Sequence, residues 1–180
     1  MEILSSAGAL NEKAQAAYQQ QNYPLAATLF QEAAQVYQQS GEELLSAEML
    51  NNCSVAHLKA GAAELALQAA QGTDLVFANA GQRQKQAMAL ANQAAALEAS
   101  QHLEEALNLY LQSSQILKDI NDQELRPYVL QCIAALQLRT GRQVDALLSS
   151  EVALDMKKKL SVRERVLKKL LGTARDLLGR

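Results

Sequence analysis

Two histidines and two cysteines offer the most chemistry in this chain. His57 sits in the run VAHLKAG, and His102 stands where one helical stretch is expected to give way to the next. Neither has a Cys, Asp or Glu at metal-ligand spacing that stands out from the background. Cys53 and Cys132 lie far apart, without C-x-x-C spacing, and both fall in apolar helical stretches. They read as reduced thiols serving as small core residues, which points to a cytoplasmic setting. No basic or histidine residue closely flanks Cys132, so nothing nearby would activate it as a nucleophile. The acid pairs Glu42-Glu43 and Glu104-Glu105 fall in expected first helical turns, where the helix dipole favours negative charge without any catalysis. The sequence holds no glycine-rich phosphate loop and no H-E-x-x-H motif. The expectation is a protein that is not an enzyme and uses no metal or cofactor.

Charge is concentrated at one end. Residues 157–180, KKKLSVRERVLKKLLGTARDLLGR, hold nine basic and two acidic groups, whereas residues 1–80 hold two basic and eight acidic ones. A basic amphipathic helix can lie on an anionic membrane or on nucleic acid. This one has an apolar stripe without Trp or Phe, and no aromatic side chains are interleaved with its cations to stack on bases. Membrane and nucleic acid are therefore disfavoured as partners. No 18-residue uncharged apolar run is present, so no transmembrane span is expected. The opening MEILSSAGALNEK lacks the basic and apolar regions of a secretory leader.

These residues must be held by some framework, and composition points to helices. Hydrophobic residues make up 49% of the 180, but aromatics only 4%, with Ala and Leu dominant and Val and Ile scarce. The chain also repeats itself every 40 residues. Leu10, Leu50, Leu90 and Leu130 form one column. Three further columns hold small residues: Ala14, Ser54, Ala94 and Ala134; Ala26, Ala66, Ala106 and Ala146; Ala33, Thr73, Ser113 and Ala153.

Helix stops keep the same beat. Gly41, Gly81 and Asn121 are 40 apart, and Gln21-Asn22, Gly61, Gln101-His102 and Gly141 fall midway between them. Glycine and asparagine, as at Gly41, Gly81 and Asn121, tolerate the left-handed conformation that ends helices. The intervals between stops carry apolar residues three and four apart, as in Leu103, Ala106, Leu107, Tyr110 and Leu111. Pro24 and Pro127 fall near helix starts, where proline is tolerated. The reading is an all-α single domain of four helix–turn–helix units, at about 5–40, 43–80, 83–120 and 123–159. A further helix over 161–178 opens on the capping-box sequence Ser161-Val-Arg-Glu164. Its apolar stripe of Val166, Leu167, Leu170, Leu171, Ala174, Leu177 and Leu178 is expected to cover the last apolar face of the array.

The columns resemble the tetratricopeptide repeat family over residues 5 to about 155. The family pairs a small residue in the first helix with an alanine early in the second, followed by an aromatic and another small residue, as in Ala14, Ala26, Phe30 and Ala33. The 40-residue period looks like the long-repeat variety rather than the usual shorter one. The aromatic column is incomplete, reading Phe30, Ala70, Tyr110 and Ser150, and the glycine expected in each first helix is missing.

The resemblance implies a right-handed superhelical array with a concave groove, lined by the first helix of each pair, that takes a peptide or partner segment. Mapped onto this sequence, the groove carries Asn11, Gln15 and Tyr18 from the first unit. The second unit adds Glu48, Asn51, Asn52, Val55 and Lys59. Met88, Asn92 and Glu98 come from the third, and Tyr128, Gln131 and Arg139 from the fourth. Asn52 and Asn92 are equivalent, and amides there could bond an extended peptide backbone as donor and acceptor. Glu12 and Cys132 interrupt that ladder at either end. Positions where chaperone-binding relatives clamp a terminal carboxylate hold Asn11, Gln15, Asn52, Met88 and Asn92, with no cation, so that mode is not expected. Two functions remain open: a protein-interaction scaffold with a peptide in the groove, or a mainly structural array that self-associates as a homodimer.

Overall fold

The computed structural model describes residues 2–157 and 159–178, with side chains described over 6–174 apart from 158. Among the described residues the chain is entirely helical, with no strand. The helices are α1 (Glu2–Gln19), α2 (Tyr23–Gln39), α3 (Glu43–Lys59), α4 (Ala63–Ala70) and α5 (Thr73–Asn79). They continue with α6 (Arg83–Ala99), α7 (Leu103–Asp119), α8 (Leu125–Arg139), α9 (Gln143–Asp155) and α10 (Val162–Leu178).

Seven turns recur at the 20-residue beat, and each is built alike. Gln21, Gly41, Gly61, Gly81, Gln101, Asn121 and Gly141 all have positive φ, between 54° and 78°. In each turn this residue's N–H bonds back three residues and the next N–H bonds back five, as Gly41 to Gln38 O and Glu42 to Tyr37 O. That pair of bonds closes the helix end and satisfies carbonyls that the helix leaves open. The stops expected from sequence are therefore the turns of the fold.

The small-residue columns lie in the seams. All twelve of their members are buried, and Ala14, Ala26, Ala33, Ser54, Ala66, Ala94, Ala106 and Ser113 are sealed completely. Without bulk at these positions, neighbouring helices approach closely enough for buried hydroxyls to reach across. Ser46 Oγ donates to Ala34 O at 2.9 Å, and Ser113 Oγ to Ala87 O at 2.8 Å. Phe30 and Tyr37 anchor the core around α1 to α3, while Leu107, Tyr110, Leu117, Ile133 and Leu136 anchor that around α6 to α9. Substantial packing links near neighbours in chain order, the widest step being α3 against α6.

One helix departs from expectation. The second helix of the second unit is broken into α4 and α5 at Gln71-Gly72, where Gly72 has φ 79°. Only glycine takes that conformation at no steric cost. Thr73 Oγ1 folds back onto Ala70 O at 2.7 Å, and Gln93 of α6 donates both to Ala70 O at 3.2 Å and to Asp74 Oδ1 at 2.7 Å. A carbonyl freed by the break is thus taken up by two side chains. Phe77, buried with Ala47 and Ala89, then fixes α5 in place.

The final helix also differs from its expected form. Its capping box is present: Ser161 N–H donates to Glu164 Oε2 at 2.8 Å and Glu164 N–H to Ser161 Oγ at 3.3 Å. The helix packs against α9, with Leu171 buried and an ion pair between Lys168 and Asp155 at 2.5 Å. However, Val166, Leu167 and Leu170 are exposed, so three of the five stripe residues whose side chains are described do not cover the array. The side chains of Leu177 and Leu178 lie outside the described residues. The sequence shows that the helix has an apolar face. Among the described residues, buried Leu171 and the Lys168–Asp155 pair mark the side that faces the rest of the chain.

Candidate functional site

The expected groove residues fall into two groups, those that lock one unit to the next and those that line open hollows. The locks recur about one period apart. Glu48 of α3 pairs with Lys85 of α6, whose ammonium also sits 5.9 Å from the centre of the Phe77 ring. Asn51 is buried, donates to Ala47 O at 3.0 Å and accepts from Asn92 Nδ2 at 3.0 Å. Glu98 pairs with Arg139 at 2.5 Å and receives the Tyr110 hydroxyl at 3.5 Å. Arg139 also reaches Gln101, at 3.4 Å. Gln84 to Asp122 and Arg142 to Glu104, each at 2.7 Å, continue the pattern outside the expected groove.

Asn92 is therefore tied to its neighbouring unit. The ladder expected of Asn52 and Asn92 is divided: one amide is spent on packing, and the other is not. The difference comes from Asn51, one residue earlier, which turns inward and offers Asn92 a partner.

Asn52 belongs to the second group. With Val55 it faces Gln15, Tyr18, Gln19 and Phe30 across a hollow of about 350 Å³ between α1 and α3. Among the described residues its amide makes no hydrogen bond. Tyr18 is held edge-on to Tyr23, ring centres 5.2 Å apart, which fixes one wall. Gln15 donates to Asn11 at 3.2 Å along the same exposed helix face. The hollow carries no charged side chain, two apolar walls and several amides. Such a surface suits an uncharged extended backbone with an apolar side chain inserted.

At the far end, Tyr128 and Gln131 border a second hollow of about 510 Å³ that also receives Met156, Lys157 and Lys159. Tyr128 is 63% exposed. Lys59 and Met88 are exposed and lie in neither hollow. Lys85 and Gln93, which tie helices together, and Gln19, which borders the first hollow, were not among the residues expected from the sequence. Lys85 could have been found by seeking opposite charges one period apart.

The chemistry-bearing residues are quiet. Burial pushes the Cys53 thiol up to about 11 and also raises Cys132, so both are held protonated at neutral pH. Burial lowers the pKa of His57, and His102 meets Glu105 at 3.0 Å on an exposed first turn. Among the described residues no group of three or more His, Cys, Asp or Glu is placed to hold a metal, and no helix is long and apolar enough to cross a membrane. No protein-family model matches the chain, and no curated protein matches it in sequence.

Proposed function

We propose that this chain is a protein-interaction scaffold, a right-handed superhelical array of four tetratricopeptide-like repeats that holds an extended peptide segment against its first helices. The observation that carries the reading is the hollow between α1 and α3, where the free amide of Asn52 stands beside Tyr18 and Val55. Identical turns and buried small-residue seams support the repeat architecture. The locks between units keep the first helices in fixed register, so the hollow is preorganised and a ligand loses less free energy in ordering it.

A panned library of random peptides tests this. Uncharged sequences with one bulky apolar residue should be selected, and Asn52→Ala or Tyr18→Ala should each weaken their binding about tenfold, the loss of roughly one good contact. Asn92→Ala should leave affinity nearly unchanged and lower stability instead. Selected peptides that bind Asn52→Ala and Tyr18→Ala as well as the parent would sink the proposal, as would a library that yields none.

A further inference from the structure

The second helices share a solvent-facing stripe, and its composition switches in the last unit. Its first position holds Pro24, Glu64 and Glu104, then Val144. Its second holds Thr28, Gln68 and Asn108, then Leu148; its third holds Glu32, Gly72 and Gln112, then Val152. The three aliphatic replacements stay out in solvent, 52%, 47% and 40% exposed. Next to them α10 presents Val162, Val166, Leu167 and Leu170 at 70%, 56%, 45% and 62%. Leu170 continues the column of Leu90 and Leu130, which are only 5% and 7% exposed. Two adjoining helices thus each carry an apolar stripe that no described residue covers.

Charge decides what fits there. Helix α9 carries the exposed acid Asp145 and no cation, whereas α10 carries Arg163, Arg165, Lys168 and Lys169 against Glu164 in its described part. Lys168 already reaches Asp155 within the chain, and Glu164 reaches Lys157. Packing α10 on a second α10 would oppose like charges. Packing α10 on the α9 of another copy sets bases against acids, and a two-fold axis makes that contact twice. The stripes amount to on the order of 600 Å² of apolar side chain per copy, against about 800 Å² per partner in a standard interface.

We infer that α9 and α10 form the interface of a homodimer, in which each copy lays α10 on its partner's α9 about a two-fold axis. The contact leaves the hollow between α1 and α3 free, so it stands or falls apart from peptide binding.

Sedimentation velocity on the full chain, over about 1 to 100 μM, tests the assignment. The parent should run as a dimer at the upper end and dissociate on dilution. Raising salt from about 0.05 to 0.5 M should weaken the dimer severalfold as the opposed charges are screened. The triple change Val144→Glu, Leu148→Asn, Val152→Gln installs the residues of the third unit and should give a monomer of unchanged helicity. Should that variant lose helicity, Leu170→Glu, which alters α10 alone, gives the same reading. A parent that stays monomeric throughout overturns the inference, even if another protein is found to occupy α9. So does a dimer that survives Leu170→Glu with helicity intact, or a mass that keeps growing with concentration, which marks an open chain of contacts.

Discussion

Helices α7 and α9 occupy the same place in successive units, yet they do different work. Helix α7 buries Leu107, Tyr110, Ser113, Ile116 and Leu117, with α6 on one side and α8 on the other. The equivalent residues of α9 and its end are Leu147, Ser150, Ala153, Met156 and Lys157, and only Ala153 of these is buried. Both helices follow the same left-handed turn. Backbone form in this chain is set by the turns and small-residue seams, and it survives when large side chains are withdrawn. A helix can therefore give up interior packing and present its outer face while keeping its turn and its small-residue contacts.

The largest expected effect is the difference between equivalent truncations. Leu107→Ala should cost about 3 kcal/mol, since its fully buried side chain leaves a cavity, whereas Leu147→Ala, partly buried, should cost less than half of that. Chemical denaturation of both variants measures this, and equal losses would break the comparison. Smaller effects are expected at the turns. Gln101→Gly relieves a non-glycine residue at φ 65° and should stabilise by about 1 kcal/mol. Gly141→Ala, the same position in the next unit at φ 77°, should lose about that much. Opposite signs at equivalent positions would show that the two turns are interchangeable.

The subtlest test lies at the last helix. The hydrogen bond from Lys157, together with those at Ser161, holds the Glu164 carboxyl down at about 2. A carboxyl depressed on folding contributes stability that is complete above its ordinary value near 4.5 and is lost as pH falls through its folded value near 2. Acidification from about pH 5 toward 2 should therefore fray the start of α10 while α7 keeps its protection in hydrogen exchange. Glu164→Gln should loosen α10 already at neutral pH. An α10 that exchanges identically in the parent at pH 5 and pH 2 would contradict the assignment.

Helices and turns were legible because they rest on local chemistry: glycine, asparagine or glutamine at a helix end, and alanine wherever two helices touch. Gly72 escaped notice because it lies off the 20-residue beat, inside a pattern otherwise apolar and helical. The following Thr73-Asp74 was its one signal, a pair suited to opening a new helix. Within the candidate site, residue positions were legible but partners were not. Asn51 and Asn92, or Glu98 and Arg139, meet only once separate helices are brought together, and pattern along one helix says nothing about which of two adjacent amides turns inward. The outward stripe of α10 was hidden for a similar reason. Amphipathicity reveals that a face exists, and the surface that meets it is a matter of tertiary geometry.

Close neighbours in sequence being close neighbours in space has a consequence for how the chain reaches its fold. The widest substantial step is from α3 to α6, so almost every contact closes a short loop and little chain entropy is lost before packing repays it. Folding should be rapid, single helix pairs can serve as starting points, and order can spread in either direction along the chain. The α2–α3 and α6–α7 pairs, both closely packed, are natural seeds. The last pair joins late, and it can open and close while the rest stays folded.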